Sequence, residues 1–367
     1  MYRSLIYPLL QRLDAERTHD GTLRLLAAIE RAPAVRRALA RALHVANARL
    51  QAELAGLQFS NPLGVAAGLD KNAVAMQTWG ALGWGHVEVG TVTPQPQRGN
   101  EQPRVFRLPQ DQALINRMGF PGQGMHAVRN RLSRLNQRQF VVGANIGANK
   151  TSVEAGRAVD DYVRVLQCLY PYADYFTVNV SSPNTARLRE LQGAQALGAL
   201  IAEVVATRNS MPQHKPVFLK IAPDLEQWEL QAIVAVCVRH GIDALVAANT
   251  TIARPTALRG TARAQIGGLS GAPVRARSTE IIRTLHMMSD GALPIIGVGG
   301  VFSADDVWEK LQAGARLVQI YTGLVYEGPL MAWRIKRDLL RLMDRHGVRS
   351  LAEIIGSKAP AGGRTRS

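Results

Sequence analysis

Tyr175-Phe176-Thr177-Val178-Asn179-Val180-Ser181-Ser182-Pro183-Asn184-Thr185 is an apolar, strand-like run that breaks into a polar turn. Alternation along a strand buries Val178 and Val180 on one face and turns Asn179 to the other, into a lumen or cleft. There Asn179 offers a planar ligand both a donor and an acceptor, and Ser182 on the following turn reaches the same ligand from one side. Pro183 keeps the turn out of a helix. Asn, Ser and Pro are also ordinary turn formers, so the stretch takes its meaning from its surroundings.

Seven more apolar runs accompany it: Gly64-Gly68, His86-Val92, Phe140-Ile146, Val217-Ala222, Ala244-Thr250, Pro294-Gly300 and Arg316-Thr322. Helical sequence fills most of the gaps. Eight strands with crossover helices over about 260 residues predict an α/β fold, a (β/α)8 TIM barrel, whose reactive groups gather at the C-terminal ends of the strands. Those ends carry Gly68 with Lys71 close behind, then Thr91, Asn145, Asn179, Lys220, Asn249, Gly300 and Thr322. A doubly wound open sheet alternates in the same way but does not call for a polar residue at every strand end. The long Pro- and Gly-rich connection from Thr93 to Gly124 can fold Asn116-Arg117-Met118-Gly119-Phe120 back over the mouth; a structural hairpin is the plainer reading.

Residues 51–350 therefore form the expected barrel, residues 1–50 an N-terminal helical region, and residues 351–367 a tail. Leu5, Ile6, Leu9, Leu10 and Leu13 fall on one stripe, Leu23, Leu26 and Ile29 on a second helix, and Val35, Leu39 and Leu43 on a third. Interspersed arginines (Arg3, Arg12, Arg24, Arg31, Arg36, Arg37 and Arg41) make these short basic amphipathic helices, a membrane-associating extension suited to an interface. A helical cap on the bottom of the barrel is the alternative. No run approaches the ~18 residues of a spanning helix, and no small-residue cleavage site follows an apolar core, which argues against a secretory signal. From Gly356 to Ser367 the tail has almost nothing to bury and is expected to be disordered at its end.

The formal charge of +16 points to an anionic partner, whether nucleic acid, membrane or acidic small molecule. No block of consecutive Lys and Arg resembles a nucleic-acid arm. Cys168 and Cys237, in helix-like sequence without His, Cys or carboxylate neighbours at ligand spacing, read as inert core thiols in a reducing compartment, with no metal site. Lys220 interrupts the buried run Val217-Phe218-Leu219-Lys220-Ile221-Ala222. An ammonium there needs an anion; a bound ligand such as a reduced flavin is one candidate and a salt bridge to Glu88 the other. Pro294-Ile295-Ile296-Gly297-Val298-Gly299-Gly300-Val301 leads to a helix at Ser303-Ala304-Asp305-Asp306, where bare amides could bind phosphate. Gly267-Gly268-Leu269-Ser270-Gly271 could add further amides.

Together these pieces resemble the membrane-associated, quinone-dependent class 2 of the dihydroorotate dehydrogenases, from the N-terminal helices to about Tyr326. The motifs that carry the likeness are Ala66-Ala67-Gly68-Leu69-Asp70-Lys71-Asn72, Gly90-Thr91-Val92-Thr93-Pro94, Asn116 to Phe120, Asn179 to Thr185, Asn249-Thr250-Thr251, Gly267 to Gly271 and Gly297 to Gly300. The resemblance implies oxidation of (S)-dihydroorotate to orotate in de novo pyrimidine (UMP) biosynthesis, with FMN as hydride acceptor and a membrane quinone as terminal electron acceptor. It implies FMN held by Ala67, Gly68, Leu69, Asp70, Lys71, Thr91, Asn145, Asn179, Lys220, Gly271, Gly300, Tyr321 and Thr322. Dihydroorotate would touch Lys71, Asn116, Arg117, Met118, Gly119, Phe120, Asn179, Asn184, Asn249 and Thr250. Ser182 matches the family's catalytic base, where the soluble class has Cys.

In that family the quinone enters through a tunnel among the N-terminal helices; Arg107 matches a residue near the flavin's exposed edge, with His19 a further candidate. A monomer bound peripherally to the cytoplasmic side of the bacterial inner membrane, without a nucleic-acid partner, is the implied setting. The chain departs from the family at Ala186-Arg187, where Pro-Gly is usual, and at Ala248, where some relatives have Thr. Removing a proton from C5 and a hydride from C6 requires the substrate to lie flat between flavin and base. Asparagines match the pyrimidine edge and Lys71 its carboxylate. Serine is a weak base alone, so a desolvated loop and a water or hydroxyl relay are expected to draw its proton away. A flavin-dependent tRNA dihydrouridine synthase would use a catalytic Cys on a barrel loop, and a basic membrane scaffold would leave the polar strand ends unexplained.

Overall fold

In the computed structural model, which describes residues 2–135, 138–185 and 187–359, eight parallel strands close into a barrel. They are β1 (Leu63–Val65), β2 (His86–Val92), β3 (Val141–Ile146), β4 (Tyr175–Asn179), β5 (Val217–Ile221), β6 (Ala244–Ala247), β7 (Ile295–Val298) and β8 (Ala315–Ile320). Each strand neighbours the next in sequence, and β8 returns to β1 with Val318 opposite Leu63. The strands coincide with the eight apolar runs, but β1, β6, β7 and β8 stop at Val65, Ala247, Val298 and Ile320, leaving Gly68, Asn249, Gly300 and Thr322 beyond the strand ends.

Alternation sorts the lumen into layers. Tyr175, Phe218, Val246, Ile296 and Leu317 pack together as an apolar layer. Two residues further along their strands stand Thr177, Lys220 and Gln319, joined by Glu88 and Asn145, none more than 5% exposed. The barrel floor is closed by the antiparallel hairpin Ala52–Leu54 with Leu57–Phe59. Its Leu54 and Phe59 join the apolar layer, and the Phe59 ring meets His86 edge-on at 5.4 Å.

Over the mouth lies a separate three-stranded antiparallel sheet built from Val105–Leu108, Ala113–Asn116 and Gly268–Gly271. Both readings of the β2–β3 connection hold: part of it is a hairpin, and Asn116 to Phe120 continue from that hairpin over the mouth. The glycine stretch after β6 is the third strand of this lid rather than an open loop of amides.

Three helices precede the barrel: α1 (Tyr7–Leu10), α2 (Ala15–Glu30) and α3 (Pro33–Ala42). Asp14 caps α2 by accepting from the Arg17 amide at 2.8 Å. The region packs beside the mouth, not on the floor. Glu16 on α2 meets Arg104 in two-pronged fashion (2.6 and 3.0 Å), and the Arg104 guanidinium also donates to the Arg98 and Asn100 carbonyls. At the other end of α2, the Glu30 carboxylate accepts from the Gln77 and Thr78 amides and so caps the helix Met76–Ala81. Leu26 and Leu43 are buried, whereas Leu5, Leu9, Leu13 and Leu25 are 58–63% exposed. One face of the region caps the barrel; the other leaves leucines in water. No helix among the described residues is long and apolar enough to cross a membrane.

Of the tail, Gly356 and Lys358 donate from their amides to Leu311 and Gln312 at the end of the helix Ala304–Gln312. The expectation of disorder at the tail's end falls on residues 360–367, outside the described residues.

Glu16→Ala leaves the buried Arg104 without its carboxylate, a change that costs roughly 3 kcal/mol for a buried pair. The expected outcome is a lower thermal midpoint together with faster proteolytic nicking between α1 and α3. Unchanged nicking would mean that the pair does not fasten α2 to the lid.

Candidate active site

The strand ends and the lid sheet enclose a cleft with about 1110 Å³ of empty space, counting the part open to solvent. Its inner wall is an amide relay. Asn145 Nδ2 donates to Glu88 Oε1 at 2.8 Å, and Asn145 Oδ1 accepts from Thr91 Oγ1 at 2.5 Å and Asn179 Nδ2 at 3.1 Å. Asn179 Nδ2 also donates to Thr91 Oγ1 at 2.8 Å. Nearer the mouth, Asn249 Nδ2 donates to Ser181 Oγ at 3.0 Å, and Ser181 Oγ to Asn179 Oδ1 at 3.1 Å.

Lys220 lies across from Asn179 in the β4–β5 register. Burial pulls its ammonium below the ordinary lysine range, and the charge of Glu88 partly offsets that. Lys220 makes no hydrogen bond or ion pair of 4 Å or less among the described residues, yet it lines the cleft. The salt bridge to Glu88 is therefore not formed, and the cation still needs an anion from the cleft. Lys71 lines the same space; burial pulls it down to about 8, against the attraction of Glu16 and Asp20.

At the far end, the amides of Gly299, Gly300, Val301, Tyr321 and Thr322 bond to no carbonyl or side chain among the described residues, and all five residues line the cleft. Unpaired amides in so enclosed a place mark an anion site. A side chain on Gly300 would put its Cβ 2.5 Å from the Arg275 Cα, so only glycine lets this loop pack there. The helix start at Ser303 is not part of the anion site. Ser303 and Asp306 close it with a capping box, and Arg275 pairs with Asp306 at 2.9 Å.

Opposite the inner wall stands Ser182, 6% exposed, its Oγ accepting from the Asn184 amide at 3.3 Å. Asn184 Nδ2 donates to Asn116 Oδ1 at 3.2 Å, and the Asn184 carbonyl accepts from Asn100 Nδ2 at 2.9 Å, which ties the Ser182 loop to the lid. Gly268 permits the closeness. A Cβ there would fall 1.9 Å from Thr250 Oγ1 and 3.2 Å from the Pro183 ring. From behind, Arg189 donates to the Ser181 and Thr250 carbonyls at 3.2 and 3.1 Å and pairs with Asp224 at 2.8 Å, clamping the β4 and β6 loops together.

Nearly all the sequence-expected residues meet here: Ala67, Gly68, Lys71, Thr91, Asn179, Lys220, Gly271, Gly300, Tyr321 and Thr322, with Asn116, Met118, Gly119, Phe120, Ser182, Asn184, Asn249 and Thr250. Four do not line the cleft. The Asp70 carboxylate turns inward and accepts from the Val74 and Ala75 amides and Trp79 Nε1, a structural cap. Leu69 joins the main apolar core. Asn145 sits beneath Asn179 as part of the relay. Arg117 points outward to Gln265 and the Pro103 carbonyl, over the Phe106 ring at 4.7 Å. The sequence reading missed Gln319 and Arg189. Gln319 was within reach, as an inward-facing polar residue in the β8 run; the Arg189 clamp depends on loops that only the fold brings together.

Arg107 donates to the Leu13 carbonyl at 2.7 Å, and its strand neighbour Val105 lines the cleft. His19, on α2, lies near enough to Lys71 to feel its charge; burial, then that charge, pull its imidazole down to about 3. Ala248 lines the cleft, Arg187 adopts a left-handed φ of 60°, and Ala186 lies outside the described residues.

A profile of the family described as Dihydroorotate dehydrogenase matches residues 49–343. A Deinococcus deserti protein named dihydroorotate dehydrogenase (quinone) is 46% identical over 364 residues, 98% of this chain and 100% of that protein. The Mus musculus protein named dihydroorotate dehydrogenase (quinone), mitochondrial, is 45% identical over 97% of this chain and 90% of its own length. A crystal structure of DHODH in complex with ferulenol from Eimeria tenella superposes with a TM-score of 0.85 at 34% identity, covering 95% of this chain and 96% of that one.

Folded and ligand-free, Lys71 loses its proton near pH 8; unfolded, near its ordinary 10.5. The unfolded chain binds more protons between these values, so this residue makes stability rise with pH across that window. Lys71→Met is expected to flatten the rise in urea denaturation of ligand-free protein; an unaltered slope would show that Lys71 is not desolvated.

Proposed function

This chain belongs to the dihydroorotate dehydrogenase family, in its quinone-dependent class, and we propose that the cleft described above is where it works. It oxidises dihydroorotate to orotate with FMN as the hydride acceptor and a quinone as the final oxidant. The observation that carries the residue assignments is that one cleft joins a buried, unpaired Lys220, a ring of unpaired amides and, on the opposite wall, Ser182.

The residues fit FMN on two counts. Lys220 would supply a cation for the electron-rich part of the flavin ring system, and the amides of Gly299, Gly300, Tyr321 and Thr322 would supply donors for its phosphate. Thr91 and Asn179 would meet the ring face or edge between them. When bound, FMN accepts the hydride from C6 of the substrate and delivers the electrons onward.

The chain's own residues do the rest. Asn116, Asn184, Asn249 and Thr250 present amide and hydroxyl groups to the alternating edge of the pyrimidine. Lys71 balances its carboxylate. Ser182 Oγ takes the C5 proton as the C5–C6 double bond forms. The loop around it is desolvated, and the proton leaves by a water or hydroxyl chain. Asn100 and Arg189 hold that loop closed over the substrate.

The quinone approaches along the N-terminal helices, past Arg107 and toward Val105 and Leu114 on the cleft wall. Exposed Leu5, Leu9 and Leu13 with neighbouring arginines support peripheral binding to an acidic membrane surface. The cleft is complete within a single chain, which supports a monomer as the working unit.

Ser182→Ala is expected to retain FMN and slow flavin reduction by dihydroorotate by about 100-fold or more, the span of general base catalysis. Unchanged stopped-flow reduction would remove Ser182 as the base. Leu9→Glu combined with Leu13→Glu is expected to lower cosedimentation with anionic vesicles and quinone-linked turnover by about tenfold, since interfacial binding scales with apolar area, and to spare flavin reduction. Equal loss of both half-reactions would speak for a purely structural role of α1.

A further inference from the structure

We propose that Glu88 is a positioning residue that sets the donor and acceptor sense of Asn145 to match Asn179, and so holds in place the amide edge that Asn179 presents to the pyrimidine. This inference rests on the substrate site proposed above. A primary amide has nearly the same shape in its two flipped orientations, so its partners alone choose between them. Glu88 is fully buried on β2. Its Oε2 accepts from Gln319 Nε2 at 2.7 Å and from Tyr175 and Thr177 hydroxyls, each at 3.1 Å; its Oε1 accepts from Asn145 at 2.8 Å.

A carboxylate cannot donate, so the Asn145 nitrogen must face it and the Asn145 oxygen must face Thr91 and Asn179. That sense agrees with Asn179, whose nitrogen answers the Asn145 oxygen while its Oδ1 is held toward the mouth by the Ser181 amide at 3.3 Å, with Ser181 Oγ and, at 3.4 Å, Asn249 Nδ2 as further donors. Asn249 is oriented locally, its Oδ1 accepting from the Thr250 amide at 2.8 Å. Backbone amides thus fix Asn179 and Asn249, and the one buried acceptor fixes Asn145 to match them. Lys220 forms no ion pair with Glu88 within 4 Å, so the carboxylate's contacts are all with neutral donors.

Glu88→Gln tests this. The three donors at Oε2 retain the remaining oxygen there, and the new amide nitrogen faces Asn145, inverts it and sets donor against donor at Asn179. In FMN-loaded protein, titration with orotate followed by flavin absorbance is expected to show Kd raised by about tenfold or more, the smaller end of the cost of one unmatched buried polar group. Adding Asn145→Asp restores an acceptor opposite the new donor and the lumen's net charge, and is expected to recover most of the affinity. Asn145→Asp alone sets two carboxylates together and is expected to be worse than the double variant.

The thermal midpoint of ligand-free protein should show the same order, with the double variant above either single one. Additive loss, in affinity or in midpoint, overturns the proposal, as does unaltered orotate affinity in Glu88→Gln. If the parent protein failed to bind orotate, the substrate assignment would fall, while the midpoint order would still decide the relay.

Discussion

A charge inside a packed, closed barrel must be matched by neighbouring side chains or by what enters from the mouth, and that constraint governs how this molecule is built. Glu88 is matched four times over, by side chains from β3, β4 and β8. Lys220, in the same polar layer, has no hydrogen bond or ion pair among the described residues. The apolar layer beneath them, sealed by the hairpin bearing Phe59, shuts off the opposite direction, so a counter-charge can come only from the mouth. The lumen is thus finished on one side and waiting on the other, which is how a packed barrel interior becomes a cofactor seat without losing its stability.

The lid and the N-terminal helices belong to one mechanical unit. Arg104 follows the hairpin approach on one side and holds Glu16 of α2 on the other, while Asn100 ties the same segment to the Ser182 loop. Val105 and Leu114 of the lid touch the cleft, and Arg107 reaches back to the α1–α2 turn. The helices whose leucines face outward are therefore only one hairpin away from the site of chemistry, an arrangement suited to passing electrons to a lipid-borne acceptor without opening the substrate chamber.

Much of this was legible from residue order. The eight strands announce themselves because buried parallel strands are short, apolar and bounded by glycine and polar residues, and the inward asparagines follow from alternation alone. The third lid strand was not legible: Gly268–Gly271 has little strand propensity and is held by its partner Ala113–Asn116 and by the lack of side chains that lets Thr250 and Pro183 close in. Motif reading also treats consecutive residues alike. Asp70 and Leu69 lie inside a motif that lines the cleft, yet their side chains point into the protein, where Asp70 organises the turn before the helix Met76–Ala81. Arg117 likewise alternates outward from its lid strand. The capping box at Ser303 was visible in the sequence as Ser with Asp three residues on, and it excludes that helix start from binding anions.

The bond from Gln319 to Glu88 spans 231 positions of chain. During translation, β2 emerges long before β8, and until the last strand is made the carboxylate lacks one of its donors while β1 lacks the neighbour that closes the ring. Closing the barrel and completing the set of donors around that carboxylate therefore both wait on the last barrel strand.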